Sequence, residues 1–168
     1  MKTIVLGLGN TILRDDGAGI YVARALGERL EGTADIREAE LAGLDLIEML
    51  KGYDRAYIID AIQLDGEEPG VVFRMRPDDI RTTPRLASFH DIDIVTALAL
   101  GRRLQFHMPE EVVIFGVQAA DTLTLGEQCT DAVARVIPAL ADEIEGEITG
   151  APHARISIGL SARRNTRA

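Results

Sequence analysis

Two adjacent aspartates, Asp15 and Asp16, stand in a glycine-rich stretch, a third, Asp60, closes an unbroken apolar run, and His90 sits where a proline-bearing segment meets a helical pattern. Carboxylates and imidazoles take protons and bind divalent metals, so these four residues define the chemistry to be weighed. If the fold carries Asp16, Asp60 and His90 to one rim of a parallel sheet, two carboxylate oxygens and an imidazole nitrogen form a three-ligand site with open positions. Such a site suits a divalent transition metal. The plainer alternatives are that His90 is a helix-start residue satisfied by local hydrogen bonds, and that one aspartate caps a helix, an interaction of ~1 kcal/mol. One cap explains one acid, not both. His107, in a short connection before Met108 and Pro109, and His153, in a loose tail, read as solvated bystanders.

The glycines raise a nucleotide site as the first rival, and the residues argue against it. A G-x-G-x-x-G fingerprint needs glycine where Ile12 stands, and a Walker loop needs a lysine and a hydroxyl that this stretch lacks. Asp15 and Asp16 would also repel a phosphate docked at the helix start. There is no G-x-S-x-G elbow, no H-E-x-x-H helix and no cysteine pair for zinc. The single cysteine, Cys129, reads as a small buried residue rather than a nucleophile.

These residues need a scaffold, and hydrophobic periodicity supplies one. Ile4 to Leu6 is a continuous apolar run, the pattern of a strand covered on both faces, and Ile20, Ala23, Leu26 and Leu30 fall on one helical stripe. The residues between them therefore occupy the crevice at the carboxyl end of a sheet. A weak strand is expected over 34–38, a helix over 41–50, a buried strand over 56–59 ending at Asp60, and a strand over 71–75 that pairs antiparallel. Residues 76–88 read as a long surface loop. A buried helix over 92–104, a strand over 111–117 and a helix from Thr130 with Pro138 inside it complete the pattern. Strands alternating with helices give an α/β fold, a three-layer domain on a mainly parallel twisted sheet of about five strands with helices on both faces. We expect one domain over residues 1–146 and a flexible basic tail over 147–168.

The formal net charge of −9 argues against nucleic acid or an anionic membrane surface as partner. All 27 acids precede residue 148, whereas four of the 18 Lys and Arg residues, Arg155, Arg163, Arg164 and Arg167, follow it. No long apolar run and no charged-then-apolar leader is present, so a cytoplasmic protein is expected.

Four segments taken in order, VLGLGNTILRDDGAG, IIDA, SFHDIDIVTAL and FGVQAAD, resemble the nickel-iron hydrogenase maturation proteases across roughly residues 3–145. The first matches that family's opening pattern G-x-G-N-x-I/L-x-x-D-D/E-G. The resemblance implies an aspartyl-type endopeptidase that removes the C-terminal extension of the hydrogenase large-subunit precursor after nickel insertion. It places the metal-contacting residues on Asp16, Asp60 and His90, and substrate contact on Gly43. The nickel would come with the precursor, no nucleotide would be needed, and the protein would be a monomer that meets its substrate transiently. Asp16 or Asp15 could serve as general base on a water, or the metal could polarise the carbonyl. Two departures stand out: position 16 is Asp where several relatives have Glu, and the family's glycine-rich segment before the second helix appears as EAELAG with only Gly43 kept. Rival readings are a non-catalytic nickel-binding maturation factor and a nucleotide-binding α/β module.

Overall fold

The structure, a computed structural model, describes residues 1–40, 43–82, 92–153 and 155–156. Its five strands are β1 (Thr3–Leu8), β2 (Asp35–Ala39), β3 (Arg55–Ile62), β4 (Val72–Met75) and β5 (Glu111–Gln118), in the spatial order β2-β1-β3-β5-β4. Every pairing is parallel except that of β4 with β5, as the sequence pattern predicts. The helices are α1 (Ala18–Leu26), preceded by a 3-10 turn (Arg14–Gly17), then α2 (Asp45–Leu50), α3 (Pro77–Thr82), α4 (Ile92–Arg103) and α5 (Asp131–Thr149).

Strand alternation sorts the core into two layers. Ile4, Leu6, Ile58 and Ile114 join Leu46 and Leu50 of α2 and Ile94 and Leu98 of α4 on one face. Val5, Tyr57, Ile59 and Phe115 join Val22 and Leu26 of α1 and Val133, Leu140 and Ile144 of α5 on the other. The central strands are therefore apolar throughout because both their faces are covered. β1 leads through α1 to β2 at one edge, whereas the connections from β3 run the opposite way through α4 to β5. The chain thus reverses direction between β1 and β3, where parallel sheets open a crevice at their carboxyl ends.

Two expectations are corrected. Residues 77–82 are helical rather than loop. The start signal was present, since Pro77 fits the first helical position and Asp79 Oδ2 accepts the Arg76 amide at 2.7 Å. The chain after Gly146 also differs at its start: α5 runs on to Thr149, Glu147 pairs with Arg74 at 3.1 Å, and His153 packs against Gly146. The nearly buried Glu143 accepts the amide of Ile156 at 2.9 Å, and Ile156 packs on the core. Truncation at Gly146 should accordingly lower the melting temperature by about 5 °C, the effect of losing on the order of 2 kcal/mol of packing and pairing in a chain this size. A thermal scan of the truncated chain that overlays the full-length one would refute this. Pro138 lies within an unbroken α5.

Candidate active site

Between Leu8 and Ala18 the chain turns from β1 into α1 in very little space. Gly9 has φ +131, and a Cβ there would lie 1.8 Å from the Asp16 carbonyl oxygen. A Cβ at Gly19 would lie 2.2 Å and 2.4 Å from the carbonyl oxygens of Ile59 and Leu8. The glycines thus let α1 press against the ends of β1 and β3. They do not form an open cradle for phosphate, because the backbone itself fills the room that they leave. Arg14 takes φ +47, a conformation that costs energy outside glycine and clusters at functional sites. Within this turn the half-buried Asp16 accepts the Asn10 amide on Oδ2 at 2.9 Å.

Asp60 lies on β3 level with the end of β1, since Ile59 is in register with Gly7, and its partner on β5 is Gly116. It shares a face with Ile58 and Ile62, the face that α4 covers. Its side chain is almost fully buried. Oδ1 accepts the Ala61 amide at 2.8 Å, and Oδ2 has no hydrogen-bond partner among the described residues. An orphaned buried oxygen costs ~1–3 kcal/mol, a cost that folding alone does not explain. Burial pushes the carboxyl up to about 7, against the lowering pull of the Ala61 amide, and the negative charge of Asp16 adds to the rise. The two acids predicted to meet are thus brought within electrostatic reach of each other.

Asp15 is fully buried and faces elsewhere. Its Oδ2 accepts the amides of Ala120 and Asp121 at 2.9 Å and 3.1 Å and the Thr130 hydroxyl at 2.9 Å, while Oδ1 accepts the Thr130 amide at 2.6 Å. A carboxylate offers about four acceptor positions, so these donors leave none for a substrate water. Asp15 is a clamp that fastens the loop after β5 to the glycine turn. It does not cap α1 either, since Gly17 holds the N-cap position there without any side-chain bond. The carboxylate instead holds Thr130, the residue at the start of α5.

His90 lies outside the described residues, two positions before α4. The C-terminal end of α4 leads to His107, whose carbonyl accepts the Gly52 amide near the amino end of β3, so its first turn sits at the opposite, carboxyl rim with Asp60. Gly43, at φ +105, opens the approach to α2 on the same rim, and its carbonyl accepts the Leu46 amide. His107 meets Asp54 at the far end of the sheet. Cys129 is half-buried, directs its thiol to the Arg14 carbonyl, and has its pKa raised by burial to about 11, which makes it a poor nucleophile. Among the described residues no three His, Cys, Asp or Glu side chains gather as a metal cluster. Sequence reasoning missed the partners of Asp15 and the role of Gln118, whose amide group binds both backbone groups of Leu64 at 3.0 Å. FGVQAAD marked the segment without revealing those bonds.

A family model described as hydrogenase maturation protease matches residues 20–147, starting just past Asp16. The hydrogenase expression/formation protein HupD of Rhizobium leguminosarum bv. viciae is 29% identical over 142 residues, covering 82% of this chain and 69% of that protein. The Hydrogenase 2 maturation protease of Escherichia coli (strain K12) is 27% identical over 120 residues, covering 70% of this chain and 73% of the relative. Among solved structures, the hydrogenase maturating endopeptidase HybD from E. coli superimposes with a TM-score of 0.72 at 22% identity, covering 90% of this chain and 94% of that one, which shows a shared fold.

Proposed function

The chain belongs to the hydrogenase maturation protease family and is a protease, and on that premise we propose that it removes the C-terminal extension of a nickel-iron hydrogenase large-subunit precursor once nickel is in place. The observation that carries this reading is the buried, half-satisfied Asp60 beside Asp16 at the crevice rim. A buried carboxyl oxygen with no donor among the described residues suits a cation, and two acids with one imidazole bind metal weakly unless the substrate adds ligands of its own. Asp16, Asp60 and His90 would therefore grip the nickel that the precursor brings, and Gly43 would flank the substrate strand. Grip and cleavage become linked, because only a metal-bearing precursor is held with its scissile bond in position.

Hydrolysis adds water to the peptide carbonyl carbon, removes a proton from that water and delivers one to the departing amine. Asp16 is the group we assign to take the proton, since the lone pairs of Asp15 are committed. No helix among the described residues is long and apolar enough to cross a membrane. We place the protein in the cytoplasm as a monomer in transient complex with its precursor.

Asp16→Asn and His90→Ala should each keep their melting temperature and lose cleavage of nickel-loaded precursor by about 100-fold or more, the scale of losing a positioning ligand. His107→Ala, at the far end of the sheet, should cleave normally. The assay is the gel shift of precursor with and without nickel. Equal cutting of nickel-free precursor, or full activity in His90→Ala, would dispose of the nickel-reading role.

A further inference from the structure

Two large apolar side chains stand out on the loop that Asp15 clamps, and a third on the turn beside it. Leu123 is 87% exposed, Leu125 is 76% exposed, and Ile12 on the neighbouring turn is 52% exposed. The two segments run side by side, because Gly126 donates its amide to the Ile12 carbonyl at 2.9 Å and its carbonyl accepts the Arg14 amide at 2.8 Å. Together they present on the order of a few hundred Å² of apolar surface, the scale at which a patch on a monomer tends to be functional.

The loop that carries them is built to hold its shape. Besides the bonds to Asp15, the Asp121 carboxylate accepts the amides of Leu123 and Thr124 at 3.1 Å and 2.9 Å and pairs with Arg14 at 3.5 Å. The Thr122 hydroxyl meets Gln63, just past the end of β3, at 3.2 Å. The loop therefore spans from the exit of β3 to the glycine turn that carries Asp16, at the carboxyl end of the sheet. Leucines displayed on a fixed backbone lose little conformational freedom on binding, which favours a docking role.

We infer that Ile12, Leu123 and Leu125 form the docking ridge for the body of the precursor protein. This inference rests on the proposed function: a partner whose bond must reach Asp16 has to cover the same rim, and Ile12 stands four residues from Asp16 in one connection. The crevice then reads the metal, while the ridge supplies affinity for the protein around it. A few well-placed apolar anchors carry most of the binding energy in such contacts.

The test is the cleavage rate of nickel-loaded precursor against precursor concentration. Leu123→Ser with Leu125→Ser should raise the half-saturating concentration at least 10-fold with the limiting rate held within about 2-fold. Leu123→Ala with Leu125→Ala should shift it in the same direction if the serines disturb folding. Leu104→Ser with Phe106→Ser, exposed at the opposite end of the sheet, is the control and should change nothing. An unchanged half-saturating concentration, a fall in limiting rate alone, or an equal effect of the control would overturn the ridge while leaving the protease reading intact. Sedimentation showing that the unmodified protein is a dimer which the leucine variants dissociate would also overturn it, by making the ridge a self-interface. An unmodified protein that neither binds nor cuts the precursor would overturn the ridge and the proposed function together.

Discussion

Asp60→Asn is expected to melt about 5–10 °C above the unmodified protein near pH 8 while cutting no precursor. The two effects have one cause. In the folded chain the Asp60 carboxyl has been pushed up to about 7 by burial, with the Asp16 charge contributing, whereas in the unfolded chain it returns to the ordinary carboxylate range near 4. An acid whose folded pKa exceeds its unfolded one contributes its full stability below the unfolded value. It loses that contribution as pH rises towards the folded value. The fold should thus weaken between about pH 4 and pH 7 by on the order of 4 kcal/mol and stay level above. Asparagine keeps an oxygen for the Ala61 amide and has no charge to bury, so the variant escapes that loss. It also surrenders the anionic oxygen proposed to grip the substrate's metal. Thermal scans of both proteins at pH 5 and pH 8 give the comparison, with the gap between them about three times wider at the higher pH. A variant less stable than the unmodified protein at pH 8 would mean that the carboxylate is satisfied by a partner, and the case for a cation there would be lost.

The division between what the sequence disclosed and what it withheld follows from the range of the forces involved. Apolar runs such as Ile4 to Leu6 and Ala56 to Ile59, short and bounded by turn residues, read as strands covered twice, so the three-layer sheet was legible from periodicity, and with its strands parallel Asp16 and Asp60 fall at one rim. The fate of Asp15 was not. Its four donors come from residues 120, 121 and 130, more than a hundred positions away, and no local pattern encodes them. Glycine was similarly ambiguous. The glycine-rich turn raised a nucleotide site as a rival, and Gly9 and Gly19 are room for the carbonyls of Asp16, Ile59 and Leu8 instead. The short helix Pro77–Thr82 was missed because two prolines and a lack of period outweighed the Pro-Asp-Asp start signal.

Asp15→Ala should lower the melting temperature by at least about 10 °C, the largest loss expected for any single side chain at this rim. Removing the carboxylate strands three backbone amides and a hydroxyl that are held at 2.6–3.1 Å. A buried donor without an acceptor costs ~1–3 kcal/mol, and because these four are only part-buried and the loop can relax, the sum comes to about 4–6 kcal/mol, a large share of the ~5–15 kcal/mol that keeps a domain folded. Asp15→Asn is the more discriminating variant. One of its two positions becomes a donor facing donors, so it should also be destabilised, by about half as much, with the loop partly released from the glycine turn. A clamp and a general base then part company in a measurable way. For a clamp, Asp15→Asn lowers thermal stability and raises the half-saturating precursor concentration, because the ridge of Leu123 and Leu125 loses its anchorage, while the limiting rate at low temperature survives. For a base, stability would be untouched and the limiting rate would collapse. Melting curves and saturation curves on the same two variants decide between them, and an Asp15→Asn protein of normal stability but no turnover would return Asp15 to the chemistry.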